Sequence, residues 1–176
     1  TLSVGTAWDA LCGYMLARTP EIGISAGTVN PVVAECNDGF LNDIRGRHVK
    51  AEHVEEALAK AASGPVEEGC VGAGTGMSCL GFKGGIGTAS RVLEGAISDR
   101  HLGVLVLANF GDVMDLLIAG VPVGAILTER QLIPPAPPGS IVVVVATDAP
   151  LSERQLGRVA RRCQGGLARV GSVFSN

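Results

Sequence analysis

Aromatic side chains are almost missing from this 176-residue sequence: one Trp, one Tyr and four Phe make up 3% of it. That shortage removes the stacking platforms on which proteins hold single-stranded bases. Basic charge is not in excess either, since 14 Lys and Arg stand against 17 Asp and Glu. A net charge of −3 offers no positive field to nucleic acid or to an anionic membrane. Long apolar runs are lacking; Leu102–Phe110 and Ile141–Ala146 are strand-sized, far short of a membrane span. The cysteines (Cys12, Cys36, Cys70, Cys79 and Cys163) are odd in number and form no Cys-x-x-Cys pair. Reduced, buried thiols in a cytoplasmic protein follow from that, and not a disulfide framework. Histidine is scarce too. His48 and His53 do not form His-Glu-x-x-His and His101 stands alone, so all three read as solvated rather than metal-bound.

What is abundant is small and apolar: 47% of residues are hydrophobic and 25 are glycine. This composition describes a packed core of Val, Leu, Ile and Ala with closely approaching backbone, in one domain of ordinary size. The chain opens at Thr1 without an initiating Met and stops at Asn176 without an evident cap, and is read as a partial domain of a longer protein.

One stretch organises the rest. Pro134-Pro-Ala-Pro-Pro138 is followed by Gly139-Ser140 and then by the unbroken apolar run Ile141–Ala146. Prolines rule out helix or central strand, and the β-branched run suits a strand buried on both faces. The Gly-Ser junction admits two readings. One is a plain linker, commoner on spacing alone. The other is a self-cleavage point, because glycine tolerates a strained scissile peptide and the serine hydroxyl can attack the carbonyl before it. Cleavage would leave Ser140 with a free α-amine, whose ordinary pKa of about 8 lets it act as a base beside its own hydroxyl.

The remaining elements fit an α/β layered domain. Thr6-Ala-Trp-Asp9 has the form of a capping box opening a helix with Trp8, Leu11, Cys12, Met15 and Leu16 on a core face, ended by Thr19-Pro20. Pro31–Cys36 reads as a short strand. Asn37, Asp38, Asn42 and Asp43 read as turn residues satisfying backbone, with a pocket wall as the lesser alternative. Lys50–Ala62 reads as a helix closed by Gly64-Pro65. Leu102–Ala108 is a buried strand ending at Asn109, either a turn residue or an uncharged oxyanion donor. Ile118–Ile126 looks like irregular strand or loop. Ser152-x-x-Gln155 is a capping box, and the helix it starts is ended by Gly165-Gly166.

Between Gly69 and Gly87 lie eight glycines, so phosphate binding must be tested. The dinucleotide pattern after Gly72-x-Gly74 fails at Met77. The phosphate-loop pattern fails because Phe82 intrudes before Lys83 and Gly84 stands where Ser or Thr belongs. The glycines therefore let backbone pass close to backbone or to a ligand's main chain, with Thr75, Ser78, Thr88 and Ser90 supplying hydroxyls and Arg91 a cation.

Six further blocks, together with Gly139–Leu151, carry a resemblance. They are Pro-Val-Val-Ala-Glu35, Asp38-Gly-x-Leu-Asn-Asp-Ile44, Val71-Gly-x-Gly-Thr-Gly-Met77, Gly81-Phe-Lys-Gly-Gly-Ile-Gly-Thr-Ala-Ser-Arg91, Ala108-Asn109 and Ala119-Gly-Val-Pro-Val-Gly124. The chain resembles the DmpA-type L-aminopeptidase/D-Ala-esterase-amidases and their β-peptidyl aminopeptidase relatives. The resemblance implies a four-layer α-β-β-α sandwich like that of N-terminal-nucleophile hydrolases, with residues 1–139 in an α subunit and 140–176 opening a β subunit. It implies a self-processing enzyme that releases N-terminal residues from short peptides, amides or esters. Ser140 would be the nucleophile and Asn109 would hold the oxyanion. Neither metal nor other cofactor is implied, and the assembly would be a homo-oligomer of αβ units. A further serine and an acidic residue of that family match nothing up to Asn176, and Tyr14 does not match its oxyanion tyrosine. The alternatives are a non-catalytic or acyltransferase relative of the same fold, or a glycine-loop nucleotide binder.

Overall fold

The computed structural model describes residues 1–130, 132 and 139–172. The proline-rich run at 134–138 lies outside the described residues. The chain divides into two compact units, Thr1–Pro65 and Val66–Asn176.

The first unit is helical. Helix α1 (Val4–Arg18) has Ser3 at its N-cap, so the box expected at Thr6–Asp9 is not the cap; those residues are already inside the helix. Trp8 is not core as expected but 44% exposed. Helix α2 (Ala51–Ala59) packs on α1, and its first turn is closed by His53, whose Nδ1 accepts the Lys50 N–H at 3.0 Å. His53 is thus exposed yet structural. Pro31–Cys36 forms no strand, because no partner strand pairs with it among the described residues. The Asx reading holds at Asn37 and Asp43, whose side chains accept the N–H groups of Gly39 and Arg45.

The second unit is built on a three-stranded antiparallel sheet, β3 (Gly85–Val92), β4 (His101–Asn109) and β5 (Ser140–Thr147), with β4 central. Before it comes a small hairpin, β1 (Ser78–Cys79) and β2 (Phe82–Lys83). Its two-residue turn has positive φ at both Leu80 (50°) and Gly81 (80°), the mirror-image turn that matches strand twist. Leu80 accepts this conformation because it is 6% exposed and its N–H donates to the Phe110 carbonyl at 2.8 Å. Of the irregular strand or loop expected at Ile118–Ile126, Ile118 and Val121 form an isolated antiparallel bridge, while helix α3 (Val123–Glu129) takes over from Val123. Gly124 permits it, since a Cβ there would lie 1.7 Å from the Val113 carbonyl oxygen. Helix α4 (Glu153–Arg161) starts with the expected Ser152/Gln155 box. Gly165-Gly166 does not end the helical region but sits inside α5 (Cys163–Arg169).

Alternation along the strands sorts the sheet into two faces. One carries Asn109, Leu107 and Leu105 with Ser140, Val142 and Val144, and the other carries Ala108, Val106 and Ile141. β5 is not buried on both faces as its composition implies: among the described residues it is the outer strand of the sheet, and Val144 is 52% exposed. Burial is deepest near Asn109 and Leu107 and falls away toward Thr88, Ser90 and Val144.

Two carboxylates pin the sheet. Glu68 accepts the Thr88 N–H (2.8 Å) and hydroxyl, and these bonds lower its pKa. Asp148 accepts the His101 N–H and faces its Nδ1 at 3.1 Å, again with a lowered pKa, while the His101 side chain stays exposed, as expected. A carboxylate depressed in the folded state stabilises above its unfolded pKa, and that contribution disappears as pH falls through the folded value. The Glu68→Gln/Asp148→Asn double variant should therefore melt below wild type at pH 7. The gap should close as pH drops below about 4, read as thermal midpoint against pH. A gap that persists unchanged at low pH would show that the charges are irrelevant.

Candidate active site

Asn109 and Ser140 are partners in the β4–β5 ladder, so their side chains leave the sheet on the same face. Directly opposed residues hold their Cβ atoms about 5 Å apart. Asn109 is 6% exposed, while Ser140 is half-buried. The Asn109 amide is oriented: its Oδ1 accepts the Ser78 N–H at 2.9 Å. With the acceptor end so engaged, the NH2 donor end lies on the other side of the amide. An uncharged donor on the serine's own face can stabilise a developing oxyanion.

Gly139, just before the nucleophile candidate, has a geometric reason to be glycine. A Cβ there would lie 1.7 Å from the Asn109 carbonyl oxygen and 3.1 Å from the Phe110 Cα. The junction expected from sequence at Gly139-Ser140 is thus pressed against the strand end that carries Asn109.

Lys83 is the residue that sequence reasoning passed over. Its Nζ donates to the carbonyls of Gly74 (2.7 Å), Met77 (2.9 Å) and Gly84 (2.8 Å). The available signal was a single charged residue within an otherwise neutral, glycine-rich run. The glycines let these carbonyls converge: a Cβ on Gly74 would be 2.3 Å from the Gly69 oxygen, and one on Gly84 would be 2.2 Å from the Ala108 oxygen. The loop embraces its own backbone, as expected once the phosphate patterns fail. Of the hydroxyl-bearing residues noted there, Ser78 contributes through its N–H and Thr88 through Glu68, while Arg91 is exposed and donates to the Ser90 carbonyl.

Other nucleophiles nearby are poorly suited. Burial pushes the Cys79 thiol up, which keeps it protonated near neutral pH. All five cysteines are free thiols. An apolar cleft of about 1090 Å³, lined by Val106, Ala108, Phe110, Leu117 and Leu167 among others, opens on the opposite face of the sheet, and neither Ser140 nor Asn109 lines it. Among the described residues, no helix is long and apolar enough to cross a membrane, and no group of three or more His, Cys, Asp or Glu is placed to hold a metal ion.

Comparison with known proteins agrees over the whole chain. The family profile described as peptidase family S58 matches residues 1–176. The β-peptidyl aminopeptidase BapA of Sphingosinicella microcystinivorans is 46% identical over 191 residues, an alignment covering 100% of this chain and 47% of that protein. The structure of a Burkholderia sp. β-aminopeptidase is 49% identical with a TM-score of 0.86, covering 97% of this chain and 46% of the other. That of the L-aminopeptidase D-Ala-esterase/amidase of Ochrobactrum anthropi is 43% identical with a TM-score of 0.82, covering 97% and 47%. The last is described as a prototype for the serine aminopeptidases and a new variant among the Ntn hydrolase fold. The chain is α/β and shares that fold over its length; it spans about half the length of the curated relatives it matches.

Proposed function

Because this chain belongs to peptidase family S58, we propose that it carries the nucleophile of a self-processing serine aminopeptidase acting on short peptides, amides or esters. The observation that carries the reading is the pairing of Asn109 with Ser140 at the end of the β4–β5 ladder.

In the processing step, the Ser140 Oγ attacks the Gly139 carbonyl carbon and its proton passes to the departing amide nitrogen. The C–N bond breaks and an ester joins Gly139 to the Ser140 oxygen. Water then hydrolyses that ester, leaving a carboxylate on Gly139 and restoring the hydroxyl. The Ser140 amine, with an ordinary pKa of about 8, now takes the hydroxyl proton as Oγ attacks the substrate carbonyl. It returns the proton to the leaving amine, and a second hydrolysis releases the N-terminal residue. The Asn109 amide donates to the oxyanion at each tetrahedral stage. No metal or cofactor enters these steps. Residues 1–139 and 140–176 then belong to α and β pieces that stay together, in a cytoplasmic homo-oligomer of αβ units with reduced cysteines.

The test is the intact mass of the purified intact protein and the N-terminal sequence of its smaller piece. A fragment beginning at Ser140 is expected. A single unbroken chain, or a break elsewhere, would sink the assignment. Gly139→Ala adds a Cβ where the Asn109 carbonyl stands, so it should slow self-cleavage on the order of 10²-fold by misplacing the scissile carbonyl. Once cut, the same enzyme should turn over substrate normally, because residue 139 no longer lies across the bond being attacked. Time-resolved gel analysis and kcat per cleaved enzyme separate the two effects.

A further inference from the structure

We propose that Lys83 is a positioning residue that decides which end of the Asn109 amide faces Ser140; the inference rests on the oxyanion role proposed for Asn109.

An ammonium has three N–H donors, and Lys83 Nζ finds a backbone carbonyl for each, at Gly74, Met77 and Gly84. The Met77 carbonyl also receives the Gly84 N–H at 2.9 Å. That carbonyl belongs to the same peptide unit as the Ser78 N–H, which donates to Asn109 Oδ1 at 2.9 Å. The Met77–Ser78 peptide is therefore gripped at both ends, by a cation on its oxygen and by Asn109 on its nitrogen. A charge-assisted bond to a carbonyl polarises the amide and strengthens its N–H as a donor.

The polarity of this one peptide propagates outward. Were it to turn over, its carbonyl would face Asn109. The asparagine would then satisfy that oxygen with its NH2 group and swing Oδ1 toward Ser140. A lone pair would meet the developing oxyanion where a donor is needed. Removing Nζ leaves converging carbonyls without their shared donor, and turning one of them away relieves the repulsion. Arginine does not substitute, because its planar fork cannot place donors at the point where three oxygens meet.

The experiment is a double-mutant cycle in the intact protein, with kcat per cleaved enzyme and KM measured on L-alanyl and β-alanyl p-nitroanilides. Lys83→Met is expected to lower kcat by roughly 10- to 100-fold, less than complete loss of an oxyanion donor, and to shift KM less than about threefold. In the Asn109→Ala background it should cost less than about twofold more, since residues acting through one another do not add. An unchanged kcat in Lys83→Met, or the same fold-loss in both backgrounds, would overturn the proposal while leaving the oxyanion role intact. An unchanged kcat in Asn109→Ala would overturn that role and this inference with it. If Lys83→Met fails to fold, Lys83→Gln, whose neutral amide keeps part of the donor set, takes its place in the same cycle.

Discussion

Ser140→Ala is expected to leave the chain unbroken and to reduce aminoacyl-amide hydrolysis by at least about 10⁴-fold, as when the nucleophile of a serine hydrolase is removed. The oxygen lost is the attacker in both reactions, and the amine that would serve as base exists only after the first of them. No neighbour substitutes: burial raises the Cys79 thiol, and its strand lies in the preceding hairpin rather than beside β5. Intact mass reports the first reaction and p-nitroaniline release the second. Ser140→Thr is the companion variant. It keeps the hydroxyl and suits a strand position, so it should still cut itself, separating loss of the oxygen from loss of packing. Wild-type cleavage or turnover in Ser140→Ala would end the reading.

Asn109→Ala should lower kcat by roughly 10²- to 10³-fold, the usual effect of removing one oxyanion donor. Because Asn109 is buried and takes the Ser78 N–H, the same substitution leaves a donor unsatisfied and should cost about 1–3 kcal/mol of stability. Thermal midpoint and kcat must therefore be read together. Asn109→Asp separates them. The carboxylate keeps an acceptor for Ser78 with nearly the same shape, so the fold is largely spared, but it sets a negative charge against a developing one. Its kcat should fall at least as far as that of Asn109→Ala. A variant with aspartate here and near-wild-type kcat would return Asn109 to the status of a strand-end residue.

The elements most legible in the sequence were those whose cause is local. The Ser152/Gln155 box and the stop at Thr19 follow from caps and proline, and both stand where expected. The strand ending at Asn109 and the strand starting at Ser140 could be read from apolar β-branched runs, but their register could not. Side-by-side placement of these two residues depends on antiparallel pairing across thirty intervening positions, which no local pattern encodes. The exposure of Trp8 and Val144 was misread for a related reason: composition reports apolarity, whereas burial depends on what lies against the face. Helix α3 was hidden because Gly120, Pro122 and Gly124 look like breakers. Pro122 in fact sits at the N-cap, and Gly124 is needed for close passage against Val113. Lys83 was invisible because its partners are carbonyls, which every residue has.

The ladder gives the proposed scission an unusual economy. Ser140 is the first rung of β5, and the rungs from Ala108–Ile141 to Leu102–Thr147 continue behind it. A break before Ser140 would sever none of them. The newborn terminus would need no search for its place, because the zipper behind it has already immobilised it opposite Asn109. The entropic cost of assembling the catalytic pair is thereby met during folding, before any bond is cut.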